Sequence, residues 1–424
     1  MTGGGWRAWG EAEPRYTGPP PTGRYGAPPQ VPLGPPPGGP AGPGWGPPGP
    51  PPYSAPGAPP YPAPSYPAPS SPPAARPARP VAPPGSPPHD TPQPYELLMR
   101  TRDWAWWRPL LGLLLFTVLY GVAAVVLVLV VYVTGVVPDL AMQDLTDVWV
   151  LLVTNASLIV AIPIVWVCWL VPHGLRIGWS SSVLGRLRWR MLLPWTWRAL
   201  ATLGLAVAVG LLIAVAATDL PITGPTASFG WLLLVVLLTT PLQAAAEEYV
   251  FRGYLTQAIA GWIGRPQAGA AVAMVLTAAL FSAAHAPPDV ESFLYRFVIG
   301  LVLSASVWLT GGLEAAIALH AVNNVVIFVL AGALGEQVAT ADPGGVIGWA
   351  TTLLGVLGMV AFLGWVAVTA RRLRPELLSP ALRLAPAAPG GPSWGALPGP
   401  PSSERAGPWV TGPPAGGWGR PPGG

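Results

Sequence analysis

The feature that most limits how this chain can fold is a succession of eight apolar runs, each about as long as a bilayer crossing, between residues 109 and 369. They are approximately Pro109–Val133, Val148–Val171, Ala199–Ala217, Trp231–Gln257, Ala268–His285, Phe293–Leu309, Leu313–Leu330 and Ile347–Thr369. A helix crosses the hydrocarbon in about 20 residues. Inside lipid every backbone N–H and C=O needs a partner within the protein, so an uninterrupted apolar run of this length implies a helix. The sequence therefore predicts an all-α polytopic membrane protein of about eight transmembrane helices.

Composition agrees: 51% of the 424 residues are hydrophobic, 9% are charged and the mean hydropathy is +0.47, outside the range of soluble domains. All 22 basic residues are arginine. Most stand beside the apolar runs, so the formal charge of +4 reads as flanks of membrane helices and not as a nucleic-acid surface. Arg100, Arg102 and Arg108 precede the first run, Arg176 to Arg198 fill the second connection, Arg265 follows the fourth run and Arg371, Arg372 and Arg374 follow the last. The first and third connections carry Asp139, Asp144, Asp147 and Asp219. This asymmetry predicts an integral protein of a bacterial cell membrane with both termini cytoplasmic, and Arg296 is its exception. Trp104, Trp106, Trp107, Trp189, Trp195 and Trp197 read as interfacial anchors, and Val183–Trp197 as an amphipathic surface segment or a loop. Cys168 is the single cysteine, so no disulfide forms within the chain.

Residues 1–98 and 382–424 are dominated by Pro and Gly, a composition that predicts disordered tails. The first is a spacer or a ligand for a proline-binding partner. Between them the sequence divides into 99–193, two helices and a basic loop; 194–335, an intramembrane core; and 336–381, the last helix.

The chemistry is concentrated in the later half. Glu247, Glu248 and Arg252 interrupt the fourth run, and a charge at the bilayer centre costs a few kcal/mol or more, so such groups seldom stand there without a partner and a task. Neighbouring helical residues point about 100° apart, so one carboxylate can face a cavity while the other turns to Arg252, four residues on. Phe281 and His285 share one face of the fifth run, and His320 and Asn324 one face of the seventh. Each pair alone is as well explained by helix packing. Together, an acid, two imidazoles and an amide on three helices form the inventory of a hydrolytic site. A Glu in a low-dielectric setting can activate water and carry its proton to a leaving amine, a His can share that traffic, and a His/Asn pair can donate to the oxyanion. Glu247, His285 and His320 can equally be read as ligands of a divalent metal such as zinc. H-E-x-x-H and G-x-S-x-G are absent from the sequence.

E-E-x-x-x-R at Glu247, Glu248 and Arg252, F-x-x-x-H at Phe281 and His285, and H-x-x-x-N at His320 and Asn324, in that order, resemble the motifs of the CAAX-protease and bacteriocin-processing family of intramembrane endopeptidases. The resemblance covers about Pro194 to Leu330. It implies a peptide hydrolase acting on a membrane-associated protein or peptide, with Glu247 activating water, His285 as its partner, His320 and Asn324 at the oxyanion or a metal, and Glu248, Arg252 and Phe281 in support. A catalytically silent scaffold or immunity-type factor, and a proton-coupled transporter, are the competing classes. The absence of a repeat relating the two halves argues against transport.

Straight antiparallel helices on these bounds would place Glu247 near mid-depth and His285 near the outer end of its helix. Pro241, Gly253, Gly261 and Gly264 are the expected breaks that could bring them level.

Overall fold

The computed structural model describes residues 86–137, 146–218, 221–335 and 345–382. The stretches 1–85 and 383–424, which hold most of the two expected tails, lie outside the described residues. Among the described residues eight helices are long and apolar enough to cross a membrane: α1 Arg108–Thr134, α2 Val148–Leu170, α3 Trp189–Thr218, α4 Phe229–Ile263, α5 Pro266–Ala284, α6 Val290–Thr310, α7 Glu314–Leu334 and α8 Gly345–Leu373. The expected eight runs are these eight helices.

Helix ends follow local chemistry. Gly135, Gly264 and Gly311 take the left-handed conformation that stops α1, α4 and α6. The Asp147 and Asp289 carboxylates accept backbone N–H groups at the starts of α2 and α6. Pro163, which has no N–H to offer the carbonyl four residues back, accompanies an interruption of α2 at Val160. Helices α3 and α4 widen into π geometry over Leu200–Gly204 and Tyr249–Leu255.

Helix α7 lies at the centre, packed on α4, α6 and α3; α2 lies against α4, α5 against α6, and α8 against α3 and α6. Helix α1 touches mainly α2 and presents most of its apolar surface outward. The stretch expected as a surface segment or loop over Val183–Trp197 is helical from Trp189 and runs directly into the third crossing. Trp189, Leu193 and Trp197 form an exposed stripe at its beginning.

Residues 86–98, assigned by composition to the N-terminal tail, are packed instead. Tyr95, Leu97 and Leu98 are buried, the Tyr95 hydroxyl donates to the Ser180 carbonyl at 2.5 Å, and Ser379 N donates to the Gln93 carbonyl at 2.8 Å. Tyr95 to Met99 form a short apolar cluster that the proline average conceals. Beside it, Arg188 forms a bidentate buried pair with Glu314, 2.7 Å from Nη2 to Oε2, and donates to the Thr310 carbonyl. This pins the α2–α3 connection to the start of α7.

Candidate active site

Helices α4, α5 and α7 bring the expected polar residues together. The adjacent acids diverge as helical geometry requires. Glu248 turns to Arg252, whose Nη1 donates to Glu248 Oε1 at 3.0 Å, both side chains being fully buried. Arg252 also donates to the Gly300 carbonyl at 3.0 Å, and its guanidinium carbon stands 4.6 Å from the Phe281 ring centre. Gly300 leaves room for both the α5–α6 contact and the guanidinium, since a Cβ there would come within 2.9 Å of Ala278 and 3.3 Å of Arg252 Nη2.

Glu247 faces the other way. Its Oε1 accepts from Gln243 Nε2, and its Oε2 is buried without a hydrogen-bond partner, 3.7 Å from His285 Nε2 and 3.7 Å from His320 Nε2. The far nitrogen of each ring is engaged. His285 Nδ1 stands 2.7 Å from the Phe281 carbonyl, and His320 Nδ1 stands 2.8 Å from Glu248 Oε1. A carbonyl can only accept, and a carboxylate paired with arginine accepts as well, so both Nδ1 atoms carry hydrogen. In the neutral rings the two Nε2 lone pairs and Glu247 Oε2 therefore confront one another across a gap suited to a donor such as water. Phe281 packs between the rings, 4.6 Å from His285 and 5.6 Å from His320 between centres.

The expected depth mismatch between Glu247 and His285 disappears because α4 continues to Ile263, six residues past the expected end. Counted from the tight turn at Gly264, Glu247 lies about 24 Å and the end of α5 about 28 Å along their helices. Gly264 makes that turn, Gly253 lies in the π-widened stretch just after the two acids, and Pro241 lies inside α4.

Asn324 donates from Nδ2 to Gln243 Oε1 at 3.0 Å, which leaves its second N–H available. It is a link in a directed chain that ends at Glu247: Tyr295 OH to Asn323 Oδ1 at 3.2 Å, Asn323 Nδ2 to Asn324 Oδ1 at 3.0 Å, Asn324 to Gln243, and Gln243 to Glu247. Gln243, Asn323 and Tyr295 were not singled out in the sequence. Gln243, four residues before Glu247 on the same face, carried a readable signal; a lone Tyr on another helix did not. These groups line a cavity of about 570 Å³ together with Arg296 and Glu291 of α6 and apolar side chains of α2, α3 and α7.

Glu247, His285 and His320 bear the right donor atoms for a divalent cation. As placed, however, no group of three His, Cys, Asp or Glu side chains among the described residues could hold a metal ion.

Residues 227–326 match the family model described as type II CAAX prenyl endopeptidase Rce1-like, and the match includes every motif residue above. The Bacillus subtilis (strain 168) protein YyaK, itself uncharacterised, is 32% identical over 103 residues, 23% of this chain and 33% of that protein. The chain thus spans about a third of the length of this curated relative. No solved structure matches the chain.

Proposed function

We propose, from the likeness of residues 227–326 to a peptide-hydrolase family and from the geometry around Glu247, that the protein is a membrane-embedded endopeptidase hydrolysing a peptide bond by glutamate-activated water. The observation that carries this reading is the unpartnered Glu247 Oε2, 3.7 Å from two imidazole nitrogens whose opposite nitrogens already donate.

A water in that gap donates one hydrogen to Glu247 Oε2 and the other to an imidazole Nε2, which leaves an oxygen lone pair for the substrate carbonyl carbon. As the C–O bond forms, Glu247 takes the proton and the carbonyl π pair moves to oxygen. The free N–H of Asn324 donates to that oxyanion. Collapse of the intermediate breaks the C–N bond, and Glu247 returns its proton to the leaving nitrogen. Glu248, neutralised by Arg252, fixes the tautomer and orientation of His320, and the Tyr295-to-Gln243 chain fixes Glu247. The cavity's apolar walls and polar floor suit a membrane-associated peptide.

The test is incubation of the purified protein with membrane peptides and identification of the new ends by mass. A carboxyl end and an amino end from one bond are expected. If no peptide yields paired ends, the protein is a binding factor with the same constellation.

A further inference from the structure

The two ends of the bundle differ in charge, and the cavity belongs to one of them. At the first end, connections are tied together by backbone bonds from Val183 N to the Gly311 carbonyl, Leu313 N to the Ser181 carbonyl and Ser379 N to the Gln93 carbonyl. This end carries Arg108, Arg176, Arg190, Arg265 and Arg371. At the opposite end stand Asp147, Asp289 and Glu291. An excess of arginine marks the cytoplasmic side, so the first end is cytoplasmic.

The cavity walls lie in the other half. Leu151 and Thr154 are in the first two turns of α2, Glu291 and Arg296 in the first two of α6, Thr351 and Thr352 within about 11 Å of the start of α8, and Ala214 near the close of α3. All of these helix ends are at the acidic side. The floor of the cavity is Glu247 and His320, and His285, whose side chain is 33% exposed, stands where α5 ends.

The cavity also accounts for Arg296, which otherwise breaks the charge pattern. Its Nη1 donates to the Ser292 carbonyl at 3.1 Å in its own helix, and it lines the cavity instead of marking a cytoplasmic loop. A cation within the span is tolerated where it borders a water-accessible cavity.

We infer that the cavity is entered from the extracytoplasmic face, so that its substrate is a peptide segment reaching Glu247 from the side of the membrane opposite the arginine-bearing end. This rests on Glu247 being the water-activating group proposed above.

The test is labelling of single cysteines in intact cells with a membrane-impermeant thiol reagent. The native Cys168 is buried, so the parent chain gives the background. Val346→Cys at the acidic end of α8 and Arg371→Cys at its arginine-bearing end report orientation, and Arg296→Cys reports the cavity. The inference expects Val346→Cys and Arg296→Cys to label in intact cells and Arg371→Cys only after the membrane is opened. Labelling of Arg371→Cys but not Val346→Cys in intact cells would overturn it. So would a Val346→Cys that labels while Arg296→Cys waits for lysis. Should Arg296→Cys fail to accumulate, Thr351→Cys on the α8 wall gives the same readings. Labelling does not require cleavage, so a cavity labelled from outside in a protein that cuts no peptide would sink the proteolytic reading, and the substrate with it, and leave only the cavity's extracytoplasmic opening standing.

Discussion

Glu248 Oε1 stands 2.8 Å from His320 Nδ1, while the Nε2 of the same ring stands 3.7 Å from Glu247 Oε2. Two neighbouring carboxylates thus act on one imidazole from opposite sides, one holding it and one sharing its working face. The division follows from helix geometry, since adjacent positions cannot face the same way, and from Arg252, which neutralises Glu248 alone at ion-pair distance.

The roles of the two acids separate by stability. Glu248→Gln leaves the fully buried Arg252 guanidinium without its counter-charge, and breaking a buried pair costs about 3–5 kcal/mol. Thermal unfolding in detergent should show a marked loss for this variant and a small one for Glu247→Gln. Equal stability of the two would contradict the assignment.

His320→Asn retains an N–H near the Nδ1 position to donate to Glu248 but removes Nε2 from the Glu247 gap. The fold should survive and turnover should fall by about 10²-fold or more. A variant as active as the parent would place His320 outside the chemistry.

The hydrogen-bond chain from Tyr295 to Glu247 should act as a unit. Tyr295→Phe and Gln243→Leu should each cost about 1 kcal/mol of stability and reduce turnover without abolishing it. Their combination should cost less than the sum, since either one alone interrupts the chain. Strict additivity in a double-mutant cycle would show that the chain carries no coupling.

Glu96, outside the crossings, gives a pH dependence. Burial pushes its carboxyl up to about 7, only partly countered by a hydrogen bond to its own backbone. The folded protein therefore holds this proton where the unfolded chain has released it. Stability from this group is greatest below about 4.5, falls as pH rises and reaches its floor above about 7, a total of roughly 3 kcal/mol as an upper figure. Glu96→Gln should flatten the unfolding curve across that range. An unchanged slope would mean that Glu96 is solvated.

Much of this was legible in the sequence. Eight apolar runs became eight helices because lipid leaves the backbone no alternative. Glu247, Glu248 and Arg252 stood out because charge in hydrocarbon is costly, and their divergence followed from helical period. The run ends were less legible. Gln257 was the expected limit of the fourth crossing, yet α4 continues to Ile263, and that shift misplaced Glu247 in depth. Tyr95 to Met99 were lost in a proline average, although four apolar side chains in five residues suffice to dock a segment. Tyr295 and Asn323 left no pattern, because an interhelical hydrogen bond between two ordinary side chains has no sequence period.

The central claim is that Glu247 activates water between His285 and His320. Its most direct test is the rate at which purified parent and Glu247→Gln cleave the same membrane peptide, with and without a strong chelator. The account predicts that Glu247→Gln loses about 10²- to 10⁴-fold in turnover while remaining folded, and that the chelator leaves the parent rate unchanged. Equal rates for parent and variant would contradict it, and a parent rate abolished by chelation and restored by zinc would transfer the water's activation from the carboxylate to a metal.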